Sequence, residues 1–139
     1  MALELVFQIE GGDFSNAGKA SSQIKKVLKQ LNIDTRIIKR VVVAVYEAEV
    51  NVAAHAHRGQ VKALFGETEV EIVVTDQGPG IENIEQAMQP GYSTASKEVR
   101  EMGFGAGMGL SNIAKNTDNL HIESEVGKGT ILTFRCNYS

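Results

Sequence analysis

Glu47, Asn51 and His55 recur at intervals of four in EAEVNVAAH, so on a helix all three project from one side. A carboxylate and an amide oxygen one turn apart suit a hard cation such as Mg²⁺, which takes oxygen ligands and keeps several waters. The same carboxylate could instead take a proton from an attacking hydroxyl. A third reading is a buried polar pair tied to a neighbouring Lys or Arg. A second group lies downstream in EVEIVVTDQGPG, where Val70, Ile72 and Val74 alternate with Glu71, Val73 and Thr75 as in a strand with at least one buried face. That run ends at Asp76. Gly78, Pro79 and Gly80 then force a turn and let the backbone pass close to whatever sits at the strand end. A carboxylate fixed there is an acceptor placed to meet a ligand's donor; it is equally the cap of a plain turn.

Gly103, Gly105, Gly107 and Gly109 alternate in GFGAGMGL immediately before a helical pattern. Such a run lets backbone N–H groups converge on phosphate oxygens, or serves as a flexible hinge. It does not fit the dinucleotide fingerprint, and GKGT at Gly127 to Thr130 lacks the spacing and order of a P-loop. His55 and His57 form an H-x-H pair without a third ligand of suitable type nearby. Two histidines at a helix C-terminus, where the dipole favours positive charge, are the simpler reading.

The elements that must position these groups follow from periodicity. Leu3 to Ile9 alternates as a first strand, closed by Gly11, Gly12 and Asp13. Phe14, Ala17, Ala20, Ile24, Val27, Leu28 and Leu31 recur at helical spacing, with Asp13 or Ser15 as the expected cap. Asp34 can cap a second helix from Thr35 to about His57. Its VVVAVY core is β-branched and would also suit a strand, but about twenty residues without Gly or Pro exceed a usual strand. This helix is apolar nearly all round from Val41 to Ala54, yet it carries Glu47, Glu49 and Asn51. A buried ionised carboxylate is costly, so some cation or donor must answer them.

Gln60 to Phe65 and Glu69 to Thr75 read as a hairpin around Gly66. Ile81 to Ala106 reads as one loop of about 25 residues, a length usually functional or disordered in a compact domain. A third helix starts near Gly109. Leu120 to Ser124, a turn at Val126 to Gly129, and Thr130 to Cys136 make a second hairpin.

The 139 residues, 42% hydrophobic and 22% charged, suit one globular domain over residues 1–139 able to bury roughly two-thirds of its unfolded surface. A net charge of −3 and a pI of about 5.6 argue against a nucleic-acid footprint. Lys25, Lys26 and Lys29 read as a solvated helix face. The lone Cys136 excludes an internal disulfide and lies in an apolar run, as a core or edge residue without chemistry. The N-terminus shows no leader and no run reaches membrane-spanning length, so a soluble, cytoplasmic chain without membrane contact is expected.

Taken in order, E-x-x-x-N on a helix, D-x-G-x-G after a strand, a long loop closing in G-x-G-x-G, and G-x-G-T in a final hairpin resemble the GHKL (Bergerat-fold) ATP-binding family over nearly the whole chain. The short length and QPGYSTA at Gln89 to Ala95 are most similar to the anti-sigma serine/threonine kinases, and among them to switch kinases acting on STAS-domain partners. The resemblance implies an α+β, two-layer sandwich: a mixed, mostly antiparallel sheet of about five strands covered on one face by about three helices.

It also implies ATP and Mg²⁺ as cofactors and residue roles to match. Asn51 would coordinate Mg²⁺ on the phosphates and Glu47 would be the general base. Asp76 would accept from the adenine 6-amino group, with His55, Gly78, Gly80 and Ile81 lining the nucleotide; Thr130 would reach Asp76 or adenine through a water. Guanine carries a carbonyl at the 6-position, so ATP should be preferred to GTP. Gly105, Gly107, Met108, Gly109 and Leu110 would wrap the phosphates, and Arg100 in the lid would complete charge neutralisation. The implied reaction moves the γ-phosphate to a Ser or Thr of a STAS-domain partner. The alternative is a nucleotide-gated module that sequesters a sigma factor or antagonist without significant transfer. A self-cycling ATPase fits less well, because the length leaves no transducer domain. A homodimer is compatible with the resemblance.

Overall fold

The structure is a computed structural model, and it describes residues 3–89 and 109–139. β2 (Arg58–Phe65) and β3 (Glu69–Gln77) form the expected hairpin, with Val61 opposite Val74, Ala63 opposite Ile72 and Phe65 opposite Val70. On the other side of β3 runs β5 (Gly129–Asn137), placing Leu132, Phe134 and Cys136 against Val74, Ile72 and Val70. All nine side chains are buried, so the period-two pattern of three strands is one continuous inner face. β1 (Leu3–Glu10) adds outside β2 and β4 (Asn119–Glu125) outside β5, giving the order β1-β2-β3-β5-β4. Every pairing is antiparallel, so the sheet carries no parallel pair where a mixed sheet was expected.

One face of this sheet is covered by helices and the other meets solvent, where Arg135 Nε holds Glu71 Oε2 at 2.7 Å. α2 (Thr35–His55) spans the covered face and contacts β1, β2, β3 and β5. The Asp34 carboxylate starts it by accepting from the Arg36 N–H at 2.8 Å, and the β-branched run stays helical because Ile38, Val41, Val45, Ala48 and Val52 are all buried. Tyr46 alone interrupts the cover between Val41 and Ala54, at 38% exposure.

α1 (Lys19–Gln30) starts later than its periodicity suggests. Phe14–Asn16 is instead a separate 3-10 turn, and Gly18 at φ 101° breaks the helical run before α1 begins. Neither Asp13 nor Ser15 caps α1; the Asp13 carboxylate accepts from Ser15 Oγ and Asn16 Nδ2. The cap comes from α2. Glu49, 1% exposed, accepts from the N–H groups of Gly18 and Ala20 on Oε2 (3.0 and 3.1 Å) and of Ser21 on Oε1 (2.9 Å). The donors this buried carboxylate requires are the orphan amides of a helix N-terminus. Lys25, Lys26 and Lys29 are exposed on α1, as the pattern suggests.

α3 (Ile84–Ala87), capped by Asn83 Oδ1 accepting from the Gln86 N–H at 3.0 Å, gives a turn of helix to a stretch expected as loop throughout. α4 (Gly109–Lys115) packs on α2, and Ile113 reaches the core. Cys136 is buried, burial pushing its thiol up to about 11, and its Sγ lies 3.5 Å from the Asn116 carbonyl oxygen. It is a core residue.

Candidate functional site

Asp76 continues the inward series Val70, Ile72, Val74, so it lies on the helix-covered face of the sheet, the face on which α2 packs. It pairs across β2 with Gly59, next to the strand end. Gly78 then passes against Ala56, just beyond the C-terminus of α2. At Gly80, φ is 77° and a Cβ would strike the Glu125 carbonyl oxygen, so both conformation and contact demand glycine. The Pro79 carbonyl accepts from the Gly127 N–H at 2.9 Å, which pins this turn to the β4–β5 hairpin.

Asp76 Oδ1 accepts from the backbone N–H of Thr130 at 3.1 Å. Among the described residues Oδ2 has no hydrogen-bond partner, which leaves an acceptor for an incoming donor. Burial raises the Asp76 carboxyl above its ordinary value, and the Thr130 N–H partly offsets this. The Thr130 contact is therefore made by its amide. Its hydroxyl lies 2.8 Å from Ser124 Oγ, which donates to the Gly129 carbonyl and accepts from the Ile81 N–H at 2.7 Å. Either hydroxyl of this pair can be the donor, so the Ser124–Thr130 contact ties the two strands together whichever way its proton points.

Glu47 and Asn51 are half-buried on the side of α2 that faces α4. The Asn51 carboxamide fills the space a side chain on Gly109 would need, its Oδ1 2.7 Å from that point. Glu47 Oε1 accepts from Asn112 Nδ2 at 3.3 Å. Among the described residues no Lys or Arg pairs with Glu47. The Asn51 carboxamide oxygen is a hard ligand of the kind that fits Mg²⁺ held mainly by phosphates and water. No group of three or more His, Cys, Asp or Glu side chains converges among the described residues.

His55 lies a further turn along α2, and burial pushes its pKa down. It is the last residue of α2, at the helix C-terminus as expected, and burial there favours its neutral imidazole. Leu110 packs against the core, and Ile81 is tied through its N–H to Ser124. Arg100, Gly105, Gly107 and Met108 lie outside the described residues. Sequence reasoning missed Ser124 and Asn112. Ser124 was legible as a polar residue continuing the inward series Leu120, Ile122 of β4, and Asn112 as a polar position one turn after Gly109. A separate open cleft of about 390 Å³ between α3, α4 and β4 is lined by none of these candidate residues.

The sequence profile described as "Histidine kinase-like ATPase domain" matches residues 13–136. An anti-sigma F factor of Thermoanaerobacter sp. (strain X514) is 34% identical over 122 residues, 84% of this chain and 82% of that protein. The serine/threonine-protein kinase RsbT of Bacillus subtilis (strain 168) is 31% identical over 110 residues, 76% of this chain and 77% of its own. In fold, the chain is similar to a solved structure titled as the SiaB-SiaC complex from Pseudomonas aeruginosa, with a TM-score of 0.59 at 14% identity, covering 96% of this chain and 89% of that one.

Proposed function

Because the chain belongs to the histidine kinase-like ATPase family, we propose that it is a cytoplasmic, single-domain, ATP-dependent serine/threonine kinase of the anti-sigma or switch type. Its substrate is a Ser or Thr hydroxyl of a STAS-domain regulatory partner. The observation that carries this reading is Glu47: a half-buried carboxylate on α2, held by a neutral amide at Oε1 and open at Oε2 among the described residues, one turn from Asn51. A module that only binds has no use for a base there. No helix among the described residues is long and apolar enough to cross a membrane.

In this mechanism Asp76 Oδ2 accepts from the adenine 6-amino group and Thr130 reaches the base edge through a water. Gly78 and Gly80 bring the backbone close to the base, with Ile81 and His55 beside it. Asn51 would hold Mg²⁺, which supplies charge neutralisation at the phosphate oxygens. Gly105, Gly107 and Gly109 would supply backbone donors to the phosphates, and Arg100 would supply a cation for the transferred group. Glu47 Oε2 takes the proton as the partner's hydroxyl oxygen bonds to the γ-phosphorus and the bond to the β-phosphate oxygen breaks, leaving ADP.

The test is labelled ATP with Mg²⁺, this chain and a candidate STAS-domain protein. Label on a partner Ser or Thr supports the kinase. Tight ATP binding and partner capture without label supports the second reading, a nucleotide-gated module that sequesters a sigma factor or antagonist, which the anti-sigma F relatives favour. The Asp76→Asn variant is expected to bind ATP about 5- to 150-fold more weakly by calorimetry, the equivalent of losing roughly 1–3 kcal/mol of charged hydrogen bond. It should also discriminate less between ATP and GTP.

A pH dependence follows from the raised Asp76 carboxyl. The adenine donor favours the ionised form, so protonation competes with binding and ATP affinity falls on acidification. The fall begins above the ordinary carboxylate range, because the free site already holds its proton more tightly. Calorimetry between about pH 5 and pH 7.5 should show this component in the wild type and lack it in Asp76→Asn; ATP's own titration is common to both.

A further inference from the structure

Glu47 and Asn51 are one turn apart on α2, and Gly109 and Asn112 are one turn apart on α4. The two pairs meet as rungs running in opposite directions, Gly109 against Asn51 and Asn112 against Glu47. A glutamate alone on a helix face has three side-chain torsions to order, and nothing on α2 itself orders this one. Its described partner is the Asn112 amide, which donates to Oε1 and leaves Oε2 clear.

The chemistry of that partner matters. A Lys or Arg here would cancel the charge of the carboxylate, and an acid would repel it. A neutral amide orients Glu47 and leaves its negative charge intact. We infer that Asn112 is a positioning residue that aims the Glu47 carboxylate, so that alignment of the base is conditional on α4 being docked against α2. This rests on the reading of Glu47 as the base. Because Gly109 of the same helix abuts Asn51, a single docking contact aligns the base and seats the carboxamide proposed to hold the cation.

The experiment compares transfer rate, ATP affinity and pH profile for the wild type, Asn112→Ala, Asn112→Asp and Glu47→Gln. Asn112→Ala is expected to lower kcat for transfer by about 10- to 100-fold while ATP affinity stays within about twofold, the signature of a misaimed group in an intact pocket. Asn112→Asp keeps the shape and adds a like charge beside Glu47. It should move the rising limb of the pH–rate profile to higher pH, a shift that loosened packing does not produce. In a Glu47→Gln background, Asn112→Ala should add nothing.

Wild-type transfer that Glu47→Gln abolishes but both Asn112 variants leave unchanged in rate and pH profile overturns this inference alone. An Asn112→Ala loss of equal size in the Glu47→Gln background does the same. A wild-type chain that transfers no phosphate overturns the kinase reading and this inference with it, whereas a Glu47→Gln variant that transfers normally removes Glu47 as the base, and with it this inference, but leaves the kinase reading standing. Should Asn112→Ala fail to fold, the Asn112→Asp pH profile decides.

Discussion

Glu47→Gln is expected to reduce phosphate transfer to the partner by about 100- to 10,000-fold, the range general-base removal usually costs. ATP affinity should stay within a few-fold, because Gln keeps the volume of Glu and can still meet Asn112 through its carbonyl. The loss should fall equally on kcat and kcat/KM, as for a group that acts only in the transition state. Single-turnover transfer from labelled ATP, beside calorimetric ATP binding, measures both quantities. Transfer at the wild-type rate would remove Glu47 from the mechanism. ATP binding lost together with transfer would instead make it a ligand-binding or structural group.

Two residues along the same helix, Glu49→Ala is expected to damage stability. Glu49 is 1% exposed and receives three backbone N–H groups at the start of α1. Removing it orphans those donors in a dry site. Each orphan costs roughly 1–3 kcal/mol, and because the costs do not add fully, a total of about 3 to 5 kcal/mol is expected. Against a typical domain stability of roughly 5–15 kcal/mol, that is a large fraction. Urea unfolding followed by circular dichroism should show a much lower midpoint, with Glu47→Gln within about 0.5 kcal/mol of wild type as the control. An unchanged midpoint would mean that water or another group replaces the cap. Successive helical residues are rotated by about 100°, so positions two apart look in nearly opposite directions. One acid faces α4 and the candidate site, the other faces α1.

That contrast marks where the sequence was legible. The strands could be read because each inward face is a strict alternation with few competing choices, and α2 because its length excludes a strand even though VVVAVY suits one. Glu47 and Asn51 could be assigned to one side of a helix, and Asp76 to the inward series of a strand, because helical and strand periods fix relative direction within each element. What could not be read depended on partners distant in the chain. The cap of α1 comes from Glu49, about thirty residues on, so local cap chemistry at Asp13 or Ser15 pointed to the wrong start. The partner of Asp76 is an amide, and a backbone donor leaves no trace in residue type. The His55 charge turned on burial, which arises only once neighbouring elements are packed.

The junction around Asp76 has one more consequence. Gly129 abuts the Asp76 carbonyl, Gly80 abuts that of Glu125, and the Pro79–Gly127 hydrogen bond closes the ring between them. The backbone carrying the acid is held there, so on the proposed reading a nucleobase would meet an acceptor set largely in advance. Most of the ordering cost at this spot is met during folding, which leaves little to subtract from affinity on arrival. Discrimination between bases by Asp76 would then be a property of the resting junction.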